Sequence, residues 1–201
     1  GGQLITGDNS AAGEIWLLRD PGENNLNLEE RVSIRGVCKR YLQQAHAPQN
    51  DAISPRTIAE IAAGKHPGDL QAAQSAWDWF GTGLGEALAT GLTLLDGCAV
   101  LGGGLAAASP WFLPAALKVL RGSIGTQNRL VLDAFNLDDP GEREAFLNPE
   151  GGALAAHPRL REQVPWTRRK RIALGTTRLG TARAVALGAW HLARTRLGLE
   201  P

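Results

Sequence analysis

The spacing of apolar residues changes several times along the chain, and each change marks an element. Gly1 to Thr6 reads as the end of a strand, with Leu4 and Ile5 its apolar part. The polar turn Gly7-Asp8-Asn9-Ser10 follows, then a compact stretch ending in Ile15-Trp16-Leu17-Leu18. A loop over Arg19 to Asn27 carries Pro21-Gly22 and Asn24-Asn25. From Leu28 to Gln44 the residues Val32, Val37, Tyr41 and Leu42 share one helical face. Ser54-Pro55 has the form of an N-cap followed by Pro at the first helical position, and predicts a short helix from Pro55 to Ala63 that ends at Gly64. Asp69 opens the longest helical pattern, which runs to about Leu95 with Leu70, Ala73, Trp77, Phe80, Leu84, Leu88, Leu92 and Leu95 at three- or four-residue steps. Gly81, Gly83, Gly85 and Gly91 interrupt it. Each glycine costs a helix about 1 kcal/mol relative to Ala, so this many predicts close packing against another backbone.

Beyond that helix the pattern shortens. Asp96-Gly97 is a turn signal, and Cys98-Ala99-Val100-Leu101 has the length of a buried strand. Gly102, Gly103 and Gly104 follow directly. Three glycines after a strand let the backbone turn sharply and leave bare N–H groups against which a ligand can lie. The same run also serves a tight turn that binds nothing. Ser109-Pro110 repeats the cap-then-Pro form ahead of a helix to Leu120, and Arg129 to Phe135 alternates as a strand does. Asn136 to Pro158 reads as loop, acidic at first with Asp138, Asp139, Glu142 and Glu144. Pro158 to Arg171 turns basic and ends in Arg168-Arg169-Lys170-Arg171, which reads as a solvated loop edge. A short strand, Ile172 to Leu174, a polar turn over Gly175 to Gly180 and a last helix, about Leu179 to Arg196, complete the chain. This alternation of strands and helices predicts an α/β layered fold.

Composition narrows the chemistry. The 201 residues carry 21 Lys plus Arg and 20 Asp plus Glu, a net charge of +1, which gives no electrostatic case for nucleic acid or an acidic membrane surface. No apolar run approaches the roughly 20 residues of a membrane span. Cys38 and Cys98 fit no metal or redox motif and point to a reduced, cytoplasmic protein, with Cys98 acting as a small apolar group in its strand. The histidines, at 46, 66, 157 and 191, are too dispersed for a zinc set. Trp77 and Trp79 read as packing groups rather than a stacking platform. A chain that begins Gly1-Gly2 and contains no Met reads as a fragment or a processed product.

Several of these segments, in order, resemble the carboxy-terminal lobe of the ROK family of repressors, open reading frames and sugar kinases. Gly7-Asp8-Asn9-Ser10-Ala11-Ala12-Gly13-Glu14 resembles the family's G-x-N-G-x-A-G-E pattern, and Leu28-Glu29-Glu30-Arg31-Val32-Ser33 its L-E-x-x-A-S segment. Val100-Leu101-Gly102-Gly103-Gly104-Leu105 resembles its adenosine segment, and Ile172 to His191 its last strand, turn and helix. Two departures stand out. Leu17 holds the position of a family His, and Arg19 to Asn27 contains no Cys where the family carries a zinc knuckle, so a zinc-less branch is implied, with no structural metal.

The resemblance implies an actin-like ATPase (ribonuclease H-like) fold with a mixed sheet flanked by helices, residues 1–201 forming one lobe of two. It implies ATP and Mg²⁺ as cofactors and a glucose-like hexose as substrate, with Gly102, Gly103 and Gly104 against the adenosine end and Glu14, Glu29 and Asn9 on the sugar side. A carboxylate suits that task, because each of its oxygens accepts from a hydroxyl in a fixed direction. Each residue also has a plainer reading: Glu14 as an exposed turn end, Glu29 as a first-turn acid favoured by the helix dipole with Glu30 competing, and Asn9 as a residue tolerating a left-handed turn. The catalytic base is expected in the amino-terminal lobe, so no acid of this chain takes that role. The same resemblance allows a sugar-sensing regulator or a non-catalytic scaffold, and it makes a homodimer the expected assembly. Nucleic acid enters only under the regulator reading.

Overall fold

The computed structural model describes residues 4–22, 25–48, 50, 52–150, 153–156 and 163–199. Residues 4–6 form no strand, and Leu4 and Ile5 are exposed, so the strand expected at the start is absent there; residues 1–3 lie outside the described residues. A single 3-10 turn, Ile15–Leu17, leads into the loop before α1 (Leu28–Arg31). The helix expected from Leu28 to Gln44 is two helices, α1 and α2 (Ile34–Gln44). Ser33 divides them: its backbone is extended and its hydroxyl accepts from Gly36 N at 3.1 Å, so it caps a new helix instead of continuing the old one. Val37, Tyr41 and Leu42 still face the core as the periodicity predicted.

Ser54 caps α3 (Pro55–Ala62), accepting from Thr57 N at 3.1 Å, and Asp69 caps α4 (Leu70–Leu95), accepting from Ala72 N at 2.9 Å. Both helices lie where the sequence put them. After β1 (Ala99–Leu101) a 3-10 turn, Ala106–Ala108, runs straight into α5 (Ser109–Leu120). Ser109 is thus the first helical residue and not the cap. α4 and α5 form the most extensive helix pairing among the described residues, and Gly81 and Gly85 of α4 allow it. A Cβ at Gly81 would collide with the Phe112 carbonyl, and one at Gly85 would lie 2.8 Å from the Ala116 carbonyl. The core forms where these helices meet α2 and α3, around Trp77, Phe80, Phe112, Val37, Ile58 and Leu120. Trp77 meets Phe80 nearly edge-on at 5.7 Å.

A short antiparallel ladder joins β2 (Ser123–Ile124) to β3 (Gln127–Asn128). The strand read over Arg129 to Phe135 is β4 (Asp133–Asn136), starting four residues later than expected. The stretch read as loop holds helix α6 (Pro140–Leu147) and strand β5 (Ala153–Ala156), and the basic stretch holds β6 (Gln163–Trp166), paired with β5. The acids that suggested a loop are local supports. Asp139 caps α6 by accepting from Glu142 N at 2.8 Å, and Glu142 accepts from Asn136 N at 2.7 Å and pairs with Arg121. In the basic run Arg169 pairs with Asp133 at 3.1 Å, and Arg171 donates to the Phe146 carbonyl at 2.5 Å.

The main sheet places β7 (Arg171–Thr176) between β1 and β4, all three parallel; among the described residues antiparallel pairing occurs in the two short ladders and in an isolated bridge between Arg19 and Asn27. β7 is buried along Ile172–Gly175. β1 is not the buried strand expected: Val100 is 70% exposed, and Cys98, expected in the core, lies on the surface. An edge strand of three residues covers only one of its faces, so the apolar run overstated its burial. The last helix, α7 (Thr181–Arg196), buries no side chain fully. Among the described residues no helix is long and apolar enough to cross a membrane.

The glycines of α4 support an opposed pair of substitutions. Gly81→Ala gains helix propensity of at most about 1 kcal/mol, but its methyl meets a backbone carbonyl that cannot swing aside. Overpacking, at roughly 1–3 kcal/mol, should win and lower stability. Gly91, where an added methyl would meet nothing within 4 Å, should gain up to about 1 kcal/mol as Ala. A denaturant midpoint that rises for Gly81→Ala as it does for Gly91→Ala would show that α4 and α5 do not meet through Gly81.

Candidate functional site

Parallel β1, β7 and β4 end together, so the residues that follow them share one edge of the sheet. Gly102–Gly104 follow β1, Thr177 follows β7, and Leu137-Asp138 follow β4. In open α/β sheets this carboxyl edge is where ligands bind. Thr177 N donates to the Leu101 carbonyl at 2.8 Å, extending the pairing past the strand and setting the glycine turn beside the threonines. Asp138 ties the other side: it accepts from Thr176 N at 3.1 Å and from the Thr176 hydroxyl at 2.9 Å. Gly103 has φ +97°, a conformation that L side chains rarely adopt, and a Cβ placed at Gly103 or Gly104 would meet nothing within 4 Å. The turn is therefore open on its outer side. α7 begins at the same edge from Gly180, whose φ is +70°, and among the described residues no side chain caps it. Its first-turn N–H groups carry partial positive charge. Bare glycine backbone and an uncapped helix start can take an adenosine phosphate end, so the residues present fit that group.

The sugar-side candidates sit apart from this edge, on the segments around the 3-10 turn and α1, which pack on each other and on α4. Glu14 is exposed at the start of the 3-10 turn and accepts from Trp16 Nε1. Glu29 is exposed on α1 and makes no hydrogen bond or ion pair among the described residues, whereas Glu30 pairs with Arg35. Of the two competing acids, Glu29 is the free one. Asn9 is exposed, and the left-handed residues of its turn are Gly7 at φ +70°, Ser10 at φ +56° and Gly13 at φ +89°. Tolerance of a left-handed turn is thus not the task of Asn9; Ser10 takes that conformation. The structure brings Glu14 and Glu29 onto neighbouring elements that both meet α4. A surface cavity of about 490 Å³ bounded by Leu92, Arg129, Leu130 and Lys170 includes none of these residues.

The sequence presents Thr176, Thr177 and Asp138 only as parts of a polar turn and an acidic stretch; the fold sets them at the carboxyl edge of the sheet. The polar turn after Leu174 was a signal for the threonines, but the acid lies 38 positions away from Thr176 and only the pairing of β4 with β7 joins them.

The chain trace has the α/β fold of part of a sugar kinase. It superposes on the crystal structure of a glucokinase from Parabacteroides distasonis with a TM-score of 0.83 and 34% identity, over 96% of this chain and 53% of that one. A protein from Cytophaga hutchinsonii, solved as a candidate sugar kinase, matches at TM-score 0.50 and 25% identity over 58% of this chain and 40% of that one. A ROK hexokinase from Thermus thermophilus matches at TM-score 0.48 and 23% identity over 64% and 45%. The chain spans about half the length of the glucokinase it matches. No family model and no curated protein matches the sequence. The likeness to a glucokinase agrees with the sugar-kinase resemblance of the sequence, and the α/β fold expected with it is present.

Proposed function

We propose that this chain is the carboxy-terminal lobe of a cytoplasmic, ATP-dependent hexose kinase, and that it supplies the adenosine side and part of the sugar side of the site. The observation that carries the reading is the likeness to a glucokinase along 96% of the chain, with the open glycine turn at the carboxyl edge of the sheet. ATP with Mg²⁺ supplies the phosphoryl group. Gly102, Gly103 and Gly104 receive the nucleotide without a side chain in the way, and the start of α7 offers its N–H groups to negative charge. Glu14 and Glu29 accept from hydroxyls of a glucose-like hexose and hold the ring in one orientation, with Asn9 beside them. The base that takes the proton from the attacking hydroxyl belongs to the amino-terminal lobe. That lobe is the partner proposed for the uncovered apolar side chains of α7, where Val185 is 65% and Trp190 57% exposed. The assembled protein is proposed to pair as a homodimer. Leu17, where the resembled family has His, favours a second reading, a non-catalytic scaffold; a sugar-sensing regulator of the same family is the other alternative.

The full-length protein carrying these residues should convert glucose to a sugar phosphate with consumption of ATP, and residues 1–201 alone should show no turnover. Sugar binding by calorimetry without phosphoryl transfer would select the regulator. Full-rate turnover by the isolated chain, or binding of neither sugar nor ATP by the full-length protein, would end the kinase reading.

A further inference from the structure

We propose that the buried pair Asp20–Arg31 is the positioning device for the sugar-side acids. This rests on the reading of Glu14 and Glu29 as sugar ligands. Neither Asp20, six residues after Glu14, nor Arg31, two residues after Glu29, was singled out by any motif. Arg31 Nη1 donates to Asp20 Oδ1 at 3.0 Å, with side chains only 6% and 0% exposed. The pair therefore ties the segment carrying Glu14 directly to the helix carrying Glu29.

Both partners are held from further sides. Gly22 N donates to Asp20 Oδ1 at 2.9 Å. Arg31 Nε donates to the Trp79 carbonyl on α4 at 2.7 Å, and its guanidinium lies 4.8 Å from the centre of the Trp79 ring. α4 leaves space for the arginine at Gly83, where a Cβ would come within 2.6 Å of Arg31 Nε. Around the pair, Asp20 N donates to the Leu26 carbonyl at 2.9 Å and Leu28 N to the Leu18 carbonyl at 2.8 Å, closing the intervening loop at its base.

A loop of this kind has little apolar content of its own to fix it. The 3-10 turn buries nothing, and Ile15, Trp16 and Leu17 are all at least 40% exposed. Leu28 anchors α1 by burial, and the charged pair is the side-chain link that carries the segment of Glu14 to α1 and α4. An arginine is suited to it, because its planar fork serves a carboxylate and a carbonyl at once while one face stacks on a ring. Small misplacements of binding groups weaken the hold on a substrate and the alignment of its hydroxyl.

The test uses the full-length protein and compares wild type with Asp20→Asn and Arg31→Lys. In the folded variants the KM for sugar should rise by at least about tenfold while the KM for ATP stays within about twofold. A merely structural pair would lower thermal stability and leave the sugar KM of the folded protein unchanged, and that result, or an equal rise in both KM values, overturns the proposal. A wild-type protein that binds no sugar overturns the kinase reading and this one with it, whereas wild-type binding with unchanged variant KM overturns this one alone. If neither variant folds, hydrogen exchange in the wild type decides. Protection of the Asp20 and Leu28 amides without sugar is expected; protection that arises only on adding sugar overturns preorganisation by the pair.

Discussion

Glu29→Gln in the full-length protein is expected to weaken sugar binding by about ten- to a hundredfold, with ATP binding unchanged. A hydrogen bond to a charged acceptor contributes about 1.5–3 kcal/mol, and each 1.4 kcal/mol is about a factor of ten in affinity. The amide keeps the shape and removes the charge, so the loss measures the carboxylate itself. Glu30→Gln is the control, because Glu30 is engaged with Arg35 on the surface. That pair has side chains 59% and 38% exposed, and an ion pair so open to solvent contributes little. Calorimetric titration with glucose separates the two. Equal losses at both positions would mean that α1 does not present Glu29 alone to the sugar.

The second large effect lies in the core. Trp77→Ala should cost about 3–5 kcal/mol of stability, the range for emptying a buried aromatic site. Trp77 is fully buried among Phe80 and Phe112, so a cavity there has rigid walls on two sides. Trp77→Phe is expected to cost far less. The indole Nε1 is buried with no hydrogen-bond partner among the described residues, and removing an orphan donor relieves a penalty of roughly 1–3 kcal/mol that offsets part of the lost packing. Chemical denaturation followed by circular dichroism checks both. A Phe variant as damaged as the Ala variant would show that the indole N–H has a partner in solution.

Helices were legible in the sequence where a cap and a period agreed. Asp69 with its Leu and Ala repeat, and Ser54-Pro55, gave α4 and α3 nearly residue for residue, because side-chain caps and apolar stripes are local signals. The same logic failed at Ser33, where one hydroxyl split a continuous stripe into two helices. It failed again at Asp139, where an acid in a Pro- and Gly-rich stretch turned out to be a cap.

By itself the sequence determined the α/β class, a glycine turn after a strand, and a sugar-kinase resemblance that agrees with the fold. Close packing of α4 was also readable there, since several helix-weakening glycines need a neighbouring backbone to justify them. Only the tertiary structure decided that β7 lies between β1 and β4, which sets Gly102–Gly104 beside Thr177 and joins Asp138 to Thr176. Only it showed that Glu30 is paired with Arg35, and found in Asp20 and Arg31 a buried link between the segment of Glu14 and the helix of Glu29. The reason is physical: caps, turns and stripes act within a few residues, whereas strand order and the pairing of buried charges depend on which distant surfaces meet.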